Sequence, residues 1–150
     1  MSKYSGKGAA AVGTDKTILN LFEPGSSMVR AEIVELLVSC GATPADLMTI
    51  FFLMRSTAVG TEGSGFTPVP TDPAFKAASC DFGVAHSAEP TYTANSELLD
   101  FALHQRALHR WLAEPGFGLI LPATASNGIG LKSSASGGTA IHRATMFFLE

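Results

Sequence analysis

The sequence predicts a small, single-domain protein built mainly of β-strands, and three observations predict it. First, the C-terminal third carries strand-like segments at Phe117 to Leu121, Gly128 to Lys132 and Thr139 to Leu149, separated by ATASN and SSASGG. Strands recurring about every ten residues between Gly, Pro and Ser turns suggest a sandwich or a barrel. Second, Met48 to Thr57 reads MTIFFLMRST, rich in β-branched and aromatic side chains and bounded by Pro44 and Gly60, which fits a core strand. Third, 150 residues suit one domain, and a domain of that size buries about 70% of its unfolded surface without a metal or disulfide staple.

Composition narrows the function classes. Apolar residues make up 46% of the chain and charged residues only 15%, against roughly 25% in an ordinary soluble domain. So few charges leave the surface to Gly, Ser, Thr, Ala and apolar groups, as expected of a protein covered by copies of itself or by a partner. The net charge of −3 and the scattered lysines and arginines argue against a nucleic-acid partner, because phosphate neutralisation needs a basic surface. Cys40 and Cys80 are too few for a disulfide framework; they read as two unpaired thiols in apolar surroundings, with a single bond between them as the alternative. The longest apolar run, Ile50 to Met54, falls far short of the about 20 residues of a membrane helix. The N-terminal segment lacks the apolar stretch of a signal peptide. The expected location is the cytoplasm in which the chain is made, unless it leaves inside a particle.

Along the chain, residues 1–16 are rich in Gly, Ala, Ser and Lys without periodicity, and read as a flexible or extended arm that orders only on a partner. Residues 17–150 form the predicted domain. Thr17 to Glu23 is a short apolar run closed by the turn Pro24-Gly25-Ser26-Ser27. Met28 to Cys40 fits either helical spacing or a buried strand. In Met48 to Thr57, Phe51 and Phe52 must point opposite ways, one into the core and one into a second layer or interface. Val59 to Pro73, with three glycines followed by three prolines, reads as a long surface loop. Asn95 to Ala113 stays open: Leu99, Leu103, Ala107 and Trp111 follow at helical steps, while a period of two puts Leu99, Phe101 and Leu103 opposite Asp100 and His104. The terminal Thr139 to Leu149, with Phe147 and Phe148, is expected to dock into a sheet. Phe51, Phe52, Leu53, Trp111, Ile120, Ile141 and Phe147 are expected to lie largely buried, between two sheets or under a subunit interface.

A search for chemistry returns no catalytic set. His104 and His109 are five apart, not the spacing of a zinc peptidase, and His86 and His142 stand alone. Gly63-Ser64-Gly65 lacks the outer residues of a nucleophile elbow. The pairs Gly116/Gly118 and Gly128/Gly130 lead into strands, so they present no helix N-terminus to a phosphate. Asp72, Asp81 and Glu89 fit no calcium loop. The expectation is no enzyme, no metal and no cofactor.

The stretches MRSTAVGTEGSGFTPVPTDP, SAEPTYT, LHQRALHRWLAEPGFGLILP, SNGIGLKSS and RATMFFLE resemble small structural proteins encoded among the virion genes of tailed phages. In such proteins an apolar strand ends in Arg-Ser/Thr-Thr, a Gly-Thr turn follows and a Thr-Pro to Asp-Pro loop crosses over. Here those are Arg55-Ser56-Thr57, Gly60-Thr61 and Thr67-Pro68 to Asp72-Pro73, and the likeness runs from about residue 18 to 150. The resemblance implies an antiparallel β-sandwich of jelly-roll type and pushes Asn95 to Ala113 toward strand. It also implies a capsid decoration or cement subunit, commonly a homotrimer, made in the host cytoplasm and seated on the major capsid protein at the virion surface. The alternative on the same fold is a carbohydrate-binding, head-fibre or tail module. The expected partner-binding residues are Lys3, Tyr4 and Lys7 in the arm, with Tyr4 as bulky anchor, and Thr61 and Phe66 in the long loop. Neither nucleic acid nor membrane is an expected partner.

Overall fold

The computed structural model describes residues 1–11, 13, 15–25, 29–134 and 140–150. Among them the regular structure is all strand: β1 Lys3–Ala11, β2 Lys16–Phe22, β3 Ala31–Ala42, β4 Met48–Ala58, β5 Ser64–Phe66, β6 Val69–Pro70, β7 Asp81–Val84, β8 Thr91–His104, β9 Leu108–Leu112, β10 Leu119–Leu121, β11 Gly128–Ser133 and β12 Ile141–Leu149. Sheet A runs β6-β1-β12-β3, and both β9 and β10 pair with the far edge of β3. Sheet B runs β5-β7-β2-β11-β4-β8. Every pairing is antiparallel.

The two sheets face one another as a β-sandwich. Strand alternation sends every second side chain inward, so Tyr4, Ile33, Leu36, Val38, Met146 and Phe148 from sheet A meet Leu19, Leu21, Phe51, Leu53, Phe82, Ile129 and Leu131 from sheet B in one buried cluster. Phe82 and Phe148 touch edge to face at 5.9 Å between ring centroids, and His142 stands edge-on to Phe51 at 4.9 Å. A polar link also crosses the gap. His142 Nε2 and Thr49 Oγ1 lie 3.2 Å apart, Gln105 Nε2 donates to that same hydroxyl, and Gln105 Oε1 accepts from Ala45 N–H.

Several expectations need correction. The arm is no arm: Lys3 to Ala11 pairs with β12 along its whole length, and Tyr4 is fully buried, stacked on Phe148 at 5.4 Å. Its small residues are what the packing requires, since a Cβ on Gly6 would stand inside the Phe82 ring. The sandwich therefore begins at Lys3 rather than at residue 17. The Val59 to Pro73 loop contains β5, β6 and a bridge from Thr61 to Ala88. Met28 to Cys40 resolves into strand, with Ala31 to Cys40 lying in β3, while Met28 lies outside the described residues. Asn95 to Ala113 is neither one helix nor one strand. It holds most of β8, a turn over Gln105 to Ala107, and β9. Of the residues expected to be buried, Phe51 and Leu53 are fully buried, but Phe52, Trp111, Ile120 and Phe147 are only half-buried and Ile141 is 38% exposed. Phe51 and Phe52 do point to opposite faces. Cys40 and Cys80 are both free thiols.

Candidate interaction surface

The register of sheet A fixes what its outer face presents. Across β1, β12, β3 and β9 the rows read Ser5–Phe147–Glu35–Leu112, then Lys7–Thr145–Leu37–Arg110, then Ala9–Arg143–Ser39–Leu108. Lys3 stands in the adjoining row with Leu149 and Glu32, its ammonium 4.8 Å from the Phe147 ring centroid. This face combines apolar side chains with four basic residues, Lys3, Lys7, Arg110 and Arg143, and two acids, Glu32 and Glu35. Leu108 and Leu112 stand 63% and 58% exposed on β9, more than scattered apolar residues need and enough to mark the face as one that gains from being covered.

The charges are unevenly engaged. Glu35 is nearly buried; its carboxylate accepts from Arg110 Nε at 2.8 Å and lies 3.8 Å from Lys3 Nζ. Lys7 and Arg143 make no ion pair or side-chain hydrogen bond among the described residues. A chain of net charge −3 thus concentrates positive charge on one face, which favours an acidic partner surface and speeds encounter with it.

At the β1 edge this face runs into an open groove of about 400 Å³ lined by Ser5, Gly6, Lys7, Phe66, Val69 and Thr145. Here the structure unites Lys7 with Phe66, whose ring stacks on Phe82 at 5.4 Å. Lys3 lies two rows away, beyond Ser5. Tyr4 is excluded, because its ring is in the core and its hydroxyl donates to Lys76 O at 3.2 Å. Thr61 sits apart, exposed, bridging Ala88. Glu35, Leu108, Arg110, Leu112 and Arg143 were not singled out from the sequence. Each occupies an outward position of a strand, but only the register shows that the four strands share one face.

Burial pushes the Cys80 thiol far up, reinforced by the carboxylate of Glu23, to which Sγ donates at 3.0 Å. Burial likewise lowers His86 and His142 below the usual imidazole range. It raises Glu62, with Asp81 adding to the effect, and raises Asp81. Among the described residues, His86 has no hydrogen-bond partner for either ring nitrogen, and Glu62 Oε2 has none. No three of His, Cys, Asp or Glu are placed to hold a metal ion among the described residues. No helix long and apolar enough to cross a membrane occurs there either.

No family model, curated protein or solved structure matches the chain.

Proposed function

We propose that this protein is a virion structural subunit of the capsid-decoration type, binding across neighbouring major capsid proteins through the outer face of sheet A. The observation that carries the reading is that face itself: four strands wide, apolar in its middle and on β9, and basic on an otherwise acidic chain. The strand order supports it. Taking β1, β2, β3, β4, β8, β9, β11 and β12 as first to eighth, one sheet pairs first-eighth-third-sixth and the other second-seventh-fourth-fifth. That order supports the jelly-roll reading, an architecture shared by capsid subunits and lectins. The saccharide-binding alternative finds less support, because Trp111 packs against the core, Tyr4 is buried and Tyr92 is bonded to Thr17.

The mechanism is mechanical. A subunit that binds the assembled shell and not its dissociated parts stabilises the shell by mass action, by roughly 2.7 kcal/mol per site at about 100 times the dissociation constant. A homotrimer would repeat the basic face three times and multiply the hold by effective concentration. The test is purification of intact particles followed by quantitation of this chain against the major capsid protein. A fixed stoichiometric ratio, lost together with particle stability on deletion of the gene, is the expected result. Particles of full stability that contain none of this chain would overturn the proposal. Light scattering of the purified protein checks the trimer, and a stable monomer would remove it.

A further inference from the structure

β6 covers only the first part of the outer edge of β1, pairing Tyr4 with Pro70 and Ser5 with Val69 before the chain leaves the sheet. Ser2 exchanges both backbone bonds with Glu150 on the β12 side, whereas Lys3 O accepts from Thr71 N–H on the other side. Backbone direction alternates residue by residue in an antiparallel strand. The N–H and C=O groups of Lys7, Ala9 and Ala11 therefore point away from β12, and no described strand pairs with them.

Natural sheet edges are usually blunted by proline, bulges or charge. This one carries Lys7 and then only Gly8, Ala9, Ala10 and Ala11, so no bulky side chain obstructs an incoming backbone. Both ends of the edge open into grooves. One is the 400 Å³ groove between Lys7, Phe66 and Val69. The other, about 320 Å³, lies against Ala9 and Ala11 and is lined by Ala85, His86 and Glu89. His86 lines it with both ring nitrogens unpartnered among the described residues, although the residue is only 7% exposed. Buried polar groups without a protein partner are rare, and this one lies where the groove meets the β1 edge.

We propose that the free edge of β1, Lys7 to Ala11, accepts an extended strand of a partner polypeptide, antiparallel to β1 and continuing the pairing that β6 begins. The incoming strand carries an acidic side chain opposite Lys7 and apolar side chains on its inward side, toward Phe66 and Val84. The charge rule follows from Lys7, which has no ion pair among the described residues and shares its face with Arg143. The apolar rule follows from the inner side of the edge, where Val84 Cγ1 lies 3.0 Å from the place a Gly8 Cβ would take. Main-chain bonds supply affinity in such strand addition, and alternate side chains supply the choice of partner. The inference stands independently of the virion reading, since any polypeptide with this pattern would fit.

The probe is a capped, dye-labelled peptide, Thr-Val-Thr-Val-Glu-Val, which sets its Glu opposite Lys7, beside a control with Lys in place of Glu. Binding is read by fluorescence anisotropy and by amide hydrogen exchange of the full chain. Expected are saturable binding of the Glu peptide, new protection at Lys7, Ala9 and Ala11, and at least about tenfold weaker binding of the control. Ala9→Pro removes an outward N–H that makes no bond among the described residues, so it should abolish binding while leaving the melting temperature near its original value. If that variant fails to fold, Lys7→Glu serves instead, and it should reverse the preference between the two peptides. Absence of protection at the three amides, or binding indifferent to these variants, overturns the proposal. So does concentration-dependent protection of the same amides without peptide, which would assign the edge to a second copy of the chain.

Discussion

On the outer side of sheet B, Tyr92 crosses Gly130, where any Cβ would collide with its ring, and its hydroxyl meets Thr17 Oγ1 at 2.8 Å. Lys132 sits near the rings of Tyr92 and Phe52, at 5.5 and 5.8 Å, and ends 2.9 Å from Asp15. Ser56 Oγ donates to Asn20 Oδ1 at 3.1 Å. Apart from Asn20 Nδ2, which finds no partner among the described residues, the polar groups named on this half of sheet B are satisfied from within the molecule. On sheet A the same strand alternation leaves Lys7 and Arg143 unpaired and Leu108 and Leu112 in solvent. The half of sheet B around Tyr92 is therefore self-contained, although Met48 and Ile50 stand 52% and 41% exposed farther along the same side of β4, and the outer face of sheet A is available. The difference lies in the side chains, which is why function is argued from the site and not from the architecture.

The two faces share a core, and the largest expected effect comes from cutting it. Phe51 is fully buried, stacked on Phe101 at 5.5 Å and edge-on to His142. Phe51→Ala should destabilise by about 3–5 kcal/mol. Its neighbour Phe52 belongs to the outer face of sheet B and is half-exposed, so Phe52→Ala should cost roughly 1–1.5 kcal/mol. Urea denaturation of both variants checks the assignment, and equal losses would mean that the strand does not divide its side chains between core and surface.

The next effect tests the cover on sheet B. Tyr92→Phe keeps the ring over Gly130 and removes only the hydroxyl that meets Thr17. A loss of about 1 kcal/mol is expected, equivalent to a fall in melting temperature of roughly 2–4 °C for a chain of this size. No change would show that this face owes its order to packing alone.

A pH scan separates core from surface in another way. Burial lowers His142 and His86 in the folded state, while the unfolded chain titrates near about 6.5. Below that value the unfolded state binds more protons than the folded one, so stability is fully present above about pH 6.5 and declines as the pH falls toward the depressed folded values. Glu62 and Asp81 are raised and act in the opposite sense at lower pH, folding stability recovering as they protonate. Urea midpoints should therefore drop between about pH 7.5 and 6. The drop should shrink in His142→Gln, and a flat profile for the parent chain would contradict the burial of both imidazoles.

How much of this was legible beforehand depends on the element. β4 and β11 could be read directly, because apolar residues and flanking turn residues agree there. β1 could not. The sequence GKGAAA has no apolar rhythm, and its strand is specified by the nine-residue ladder to β12 and by the Phe82 ring that needs Gly6 bare. A weaker signal was present: Lys3, Ser5 and Lys7 alternate with Tyr4, Gly6 and Gly8, polar outside and aromatic or small inside. The break at Gln105 to Ala107 was hidden because both halves of Asn95 to Ala113 share an apolar pattern. The site was only partly legible for a related reason. Lys3 and Lys7 were visible as charges, but their partnership with Arg110, Arg143, Leu108 and Leu112 exists only through pairings between strands far apart in the chain.

The smallest expected effect on stability is also the most direct test of the contrast between the faces. Lys7 and Arg143 are exposed on sheet A and make no ion pair among the described residues. Replacing both with Ala should leave the unfolding free energy within about 0.5 kcal/mol, as for surface sites without partners. The same double change removes two of the four positive charges that this face directs at an acidic surface. Association with anionic heparin-like beads, followed as a function of salt, should weaken and lose part of its salt dependence, because screening acts on exposed charges over about 10 Å at 0.1 M salt. Changing Lys132 and Lys16, which are held by Asp15 and Glu89, should do the reverse. It should cost some stability, at most about 1 kcal/mol for each exposed pair, and alter bead binding less. If the sheet A pair proved the more damaging to stability and the other pair the more damaging to binding, the division between an available and a self-contained face would be wrong.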